Sequence, residues 1–171
     1  METLHVKADR QTTSLLDFSF WSNVAIILLL VVANFANYAQ VSAGKGPIFT
    51  FAAPELVMIA SLALVLWLGY ACIGLTATKR RLRLVRVTLD DTGVSGYALE
   101  HPSTPETGED FFLAYQQIRY VGVVDVAITK KHNAPSLKIA TDERGYVVPA
   151  PEQLLELVKR IAEKMPETEI N

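Results

Sequence analysis

The residues that could carry chemistry in this chain are few and scattered. His5, His101 and His132 stand far apart, and none has a second ligand at the short spacing of a metal site. Asp90-Asp91 runs into Thr92-Gly93, which is the composition of a turn rather than of a paired general acid and base. Glu109-Asp110 closes a polar loop. Gly44-Lys45-Gly46 is not framed by a strand and a helix as a phosphate loop must be. No serine or threonine stands in a nucleophile elbow. The expectation is a chain without a catalytic constellation, a bound metal or a cofactor. The richest chemical run is basic: Lys79, Arg80, Arg81, Arg83 and Arg86 within eight positions.

That run is a boundary. From Phe18 to Ala43 and again from Leu56 to Thr78 there is no charged residue. Each stretch exceeds the ~20 residues that a helix needs to cross a hydrocarbon core. The expected layout is a polar tail over residues 1–17 and a transmembrane hairpin over 18–78, with helices at about 18–41 and 55–78. A basic junction at 79–86 and a folded domain over 84–166 follow, and a short tail over 167–171 ends the chain. The tail before the first helix is expected to be disordered, with Phe18, Phe20 and Trp21 at the headgroups. The length of the first apolar run and the lack of net positive charge before it argue against a cleaved signal. Gly44 to Pro47 is a turn signal, so the two helices form an antiparallel hairpin, with Phe49 and Phe51 expected at the interface.

Asn34 and Asn37 lie three apart, on one face of the first helix, and are candidate helix–helix contacts. The alternative is that headgroups and water satisfy both amides near the outer end. Cys72 is the single cysteine, so no internal disulfide forms and no oxidising compartment is implied. Trp67, near the middle of the second apolar run, faces either the first helix or lipid. The basic junction outweighs Lys45, the one basic residue in the loop between the apolar runs, so the cytoplasmic side is assigned to the junction. Two crossings return the chain to its starting side, where Lys7 and Arg10 lie. Both termini are therefore expected in the cytoplasm, with the chain integral to the plasma membrane.

After the junction the pattern alternates with period two. Val85, Val87 and Leu89 alternate with Arg86, Thr88 and Asp90. Further strands are expected at Val94–Leu99, Phe111–Tyr115, Ile118–Thr129, Leu137–Ala140 and Tyr146–Val148, with Lys130 to Pro135 a turn. Pro151 is expected to open an amphipathic helix whose stripe is Leu154, Leu155, Val158, Ile161, Ala162 and Met165, ended by Pro166.

Val87–Val94, Leu113–Val121, Leu137–Asp142 and Tyr146–Pro149 running into the final helix together resemble the bacterial pleckstrin-homology-like (PH-like) domains. Those domains are often attached to pairs of membrane helices. The resemblance covers roughly residues 84–165. It implies an α+β fold in which a curled antiparallel sheet is capped by a C-terminal helix. Seven strands are usual in the family and six are readable here; Ala114 stands where the family usually has proline. The absent chemistry, the Asn34 and Asn37 face and the acidic domain point to a protein-interaction or scaffold module in a membrane complex, partnered by other membrane subunits or by itself, whereas the analogy with the family points to lipid binding. The alternative is a sensor of anionic lipid headgroups, using Lys130 and Lys131 with the junction. A lesser alternative is a transport component built by oligomerised hairpins. Beyond the junction, 8 basic residues face 14 acidic ones, a balance of about −6 that repels anionic headgroups. With a whole-chain charge of −2 and no basic stripe interleaved with aromatics, nucleic acid is not an expected partner.

Overall fold

A computed structural model describes residues 4–48, 54–104 and 108–165. In order, the elements are β1 (Leu4–Lys7), α1 (Arg10–Ser42), α2 (Pro54–Leu82), β2 (Arg86–Leu89), β3 (Gly93–Ala98) and β4 (Glu109–Ala114). A single 3-10 turn (Tyr115–Gln117) follows, then β5 (Tyr120–Thr129), β6 (His132–Ala140), β7 (Gly145–Val148) and α3 (Leu154–Lys164). Two compact units result. One joins the residues up to Leu15 with those from Ala77 onward, and the other holds Leu16–Thr76.

The second unit is the helical pair. α1 and α2 are both long and apolar enough to cross a membrane. At 1.5 Å per residue, 33 and 29 residues reach about 50 and 44 Å, beyond the ~30 Å of a hydrocarbon core. Their side chains are apolar all round and mostly exposed, Trp67 at 60% included. α1 ends in a glycine motif. Gly44 takes φ +72°, its N–H donates to Val41 C=O, and Lys45 N–H donates to Gln40 C=O. The expected turn is therefore present; Phe49 and Phe51 lie outside the described residues.

The first unit is built on two antiparallel sheets, β1-β2-β3-β4 and β5-β6-β7, with α3 packed on β5 and β6. Its core holds Val85, Val87, Val94, Ile118, Ile128, Leu137, Ile139, Val148, Leu157 and Ile161, each at most 1% exposed. The two sheets are joined where Leu99 N–H donates to Val147 C=O, and where Phe111 stacks on Tyr146 at 5.0 Å.

The expected disordered N-terminal tail is corrected by this fold. Leu4 to Lys7 is a strand, in register with β2 from Leu4↔Leu89 to Lys7↔Arg86. Leu4 and Val6 alternate with His5 and Lys7, and Val6 is 4% exposed. α1 then starts at Arg10 because Asp9 caps it. The Asp9 carboxylate accepts from Thr12 N–H and from Thr12 Oγ1 at 3.0 and 3.2 Å. The hairpin is thus inserted between two neighbouring strands of one sheet.

Three smaller expectations are also corrected. Pro135 belongs to β6, opposite Asp125, rather than to a turn. It lies where β6 has only β5 beside it, since β7 pairs from Leu137 to Ala140, so its missing N–H need not break a ladder. Pro151 does not open α3; it is buried and bridges to Ala8, and the helix starts at Leu154. The buried stripe of α3 is Leu157 and Ile161, with Leu155 left 78% exposed.

Candidate functional site

The basic junction is spread over three elements. Lys79, Arg80 and Arg81 form the last turn of α2, Arg83 is exposed in the link, and Arg86 opens β2. Leu82 and Val85, buried at 0% and 1%, anchor that link and hold the cations outside it. Arg81 Nη1 donates to Pro102 C=O at 3.4 Å, and Arg86 Nη2 meets Asp110 Oδ1 at 2.6 Å. Because β1 lies beside β2, Lys7 stands opposite Arg86, and Arg10 opens α1 three residues further on. The root of the hairpin therefore gathers seven cations from two distant parts of the sequence. That Lys7 and Arg10 stand beside the junction could be found only by recognising β1. The signal was two apolar residues at alternate positions and Asp9 three before Thr12.

In the helical pair, Asn34 bonds both its own helix and α2. Its Nδ2 donates to Ser61 Oγ on α2 at 3.1 Å and to Leu30 C=O at 2.7 Å. Asn37 acts differently: its Oδ1 accepts from Ile48 N–H at 2.9 Å, tying the loop to the end of α1. The two amides thus share a helix face, with Asn34 bonded to α2 and Asn37 to the loop residue Ile48.

Lys130 and Lys131 are the exposed two-residue turn joining β5 to β6, with Thr129 opposite His132. The register shifts between Ala127 and Thr129, so a bulge sits at the root of that turn. β5 is an edge strand. It has ten residues, ends its sheet, and carries Asp125 as its single charge. Tyr120 and Val123 on it are 48% and 43% exposed. A Cβ on Gly122 would meet the Tyr120 ring, so that aromatic lies along its own strand over the glycine. Such an edge presents unpaired backbone donors and acceptors.

The acidic pair is structural. Asp90 Oδ1 accepts from Thr92 Oγ1, Thr92 N–H and Gly93 N–H at 2.6, 2.7 and 2.8 Å. The Thr92 hydroxyl first, and the two backbone N–H groups next, hold the Asp90 carboxyl below its ordinary value. Tyr115 O–H donates to Asp90 C=O at 2.9 Å, and Lys164 Nζ donates to the same carbonyl at 3.0 Å. Lys164 also sits 3.7 Å from Asp91 and 5.1 Å from the Tyr115 ring centre. Burial pushes the Tyr115 phenol above its ordinary value. This constellation fastens the end of α3 to the β2–β3 turn.

A cleft of about 420 Å³ opens where the sheets part, with Glu100, His101, Glu109, Lys138 and Tyr146 on its walls. Its charges are mixed. Among the described residues no group of three or more His, Cys, Asp or Glu side chains could hold a metal ion. Set against protein-family models, curated proteins and solved structures, the chain matches none.

Proposed function

We propose that this chain is a non-enzymatic integral membrane protein of a bacterial inner membrane. In this reading its PH-like domain is cytoplasmic and serves as an interaction or scaffold module within a membrane complex. The open edge of β5 carries the proposal. Ten residues, seven of them β-branched or aromatic, with one charge and no lysine leave a row of backbone groups for an added extended segment, and Tyr120 and Val123 offer apolar contact beside it. The PH-like assignment draws support from the strand count. The strand missing from the sequence pattern is β1, and with it the domain has seven strands before its final helix.

The orientation rests on connectivity and charge. α1 leaves from β1 and α2 returns to β2, its sheet neighbour, so both ends of the hairpin belong to one side. Lys7, Arg10 and the five junction residues lie at those ends, and only Lys45 lies in the described part of the loop. Basic groups this close to the headgroups favour an anionic leaflet, each worth about 1 kcal/mol near the surface.

Lipid sensing is the second reading. Lys130 and Lys131, exposed together at a hairpin tip, favour it; the balance of about −6 over the rest of the domain opposes it. Co-purification from native membranes separates the two. A partner retained by the native chain and lost with Val123→Lys supports the β5 edge, because that exposed position tolerates a lysine without loss of core. Retention unchanged by Val123→Lys, together with lipid retention lost in a Lys130→Gln, Lys131→Gln variant, overturns it in favour of lipid.

A further inference from the structure

The root of α1 is fastened to the segment that precedes α3. Asp9 N–H donates to Ala150 C=O at 2.6 Å, Glu152 N–H donates to Lys7 C=O at 2.8 Å, and Ala8 and Pro151 form an antiparallel bridge between them. Ala150 N–H in turn donates to Ser136 Oγ at 3.2 Å, and Ser136 is fully buried on β6. This segment also holds both non-glycine residues of positive φ among those described, Ala150 at +42° and Gln153 at +52°. Side chains of L residues adopt that region at a cost, and they remain there only where their surroundings over-determine them. Gln153 is also the residue before α3 and gives it no side-chain cap. The bonds that keep Ala150 in place come from β6 on one side and from the residue that starts α1 on the other.

No loop separates that clamp from the first apolar helix. Asp9 is followed at once by Arg10, and α1 then runs unbroken to Ser42. A rotation or axial shift of α1 reaches Asp9 without slack. We propose that Ala150–Gln153 is a strained clamp coupling α1 to α3. Displacement of α1 breaks the Asp9–Ala150 and Lys7–Glu152 bonds, lets the two strained residues relax, and frees the first turn of α3. Leu157 and Ile161, both fully buried, hold the rest of the helix, so the release stops there. The clamp stands on this geometry whatever the domain binds.

The test is amide hydrogen exchange on the full chain in lipid nanodiscs, read at Asp9 and Glu152. Asn34→Leu removes the side-chain bond from α1 to Ser61 of α2 and is expected to raise exchange at both amides about fivefold. Amides at Val126 and Leu137, in β5 and β6, are expected to keep their rates. Ala150→Gly, which accepts positive φ without strain, is expected to slow Asp9 and Glu152 about fivefold in either background. Unchanged exchange at Asp9 and Glu152 in Asn34→Leu overturns the coupling. A rise spread evenly through β5 and β6 overturns it too, because the proposed release is local. Failure of Ala150→Gly to slow either amide overturns the strain.

Discussion

Asp90 shows how a residue with chemical potential is used up by structure. Its carboxylate accepts three hydrogen bonds within the turn, and its depressed pKa follows from them. The ionised form is the one the fold favours. The resulting stabilisation is in place above the ordinary value of 3.8 and is lost as pH falls through the depressed folded-state pKa. Thermal melts at pH 7 and pH 3 are expected to differ less for Asp90→Ala than for the native chain. Tyr115 has the opposite sign. Its raised pKa makes the neutral phenol the favoured form, so its contribution holds below pH 10 and fades as the pH rises past the folded-state value. Tyr115→Phe, which loses the bond to Asp90 C=O, is expected to cost about 1 kcal/mol in denaturant unfolding. Leu157→Ala, at a site with no exposure, is expected to cost about 2–5 kcal/mol by the same measurement.

At the scale of elements, the strands with a long period-two pattern were legible and β1 was not. Val87 and Leu89, or Leu137 and Ile139, announce a half-buried strand because their neighbours in sequence are polar and the run is bounded by turns. Leu4 to Lys7 has the same alternation over only four residues, and its partner lies some eighty positions away across two apolar helices. Local pattern carries no information about that pairing. Pro151 misled for a related reason. Proline suits a helix start, but here a bridge to Ala8 claims it, and the helix is delayed to Leu154. Of the candidate site residues, the basic run and Asn34 were legible from charge and from the cost of an amide among apolar side chains. The β5 edge was not, because edge status is a property of the whole sheet. Deleting Leu4–Lys7 from the full chain would strip one neighbour from β2 and uncover Val87 and Leu89. Amide exchange across β2 is expected to accelerate by more than tenfold, with β5 and β6 changed far less.

For the whole molecule, the insertion of the apolar pair between β1 and β2 ties membrane attachment to domain folding. A fragment beginning near Val87 lacks a strand of its own sheet and is expected to fold poorly unless residues 4–9 are supplied as a peptide. The charge distribution divides labour: cations collect at the hairpin root, and the rest of the domain carries the negative balance. Under the proposed function, the membrane surface belongs to the root and a protein partner to the β5 edge. The most direct test is photocrosslinking in native membranes with a photoreactive residue placed at Val123 on β5 or at Arg83 in the root. The expected result is a discrete protein adduct from Val123 and lipid adducts from Arg83. Lipid adducts alone from Val123 would contradict the interaction module in favour of lipid recognition, and no adduct there would contradict it as well.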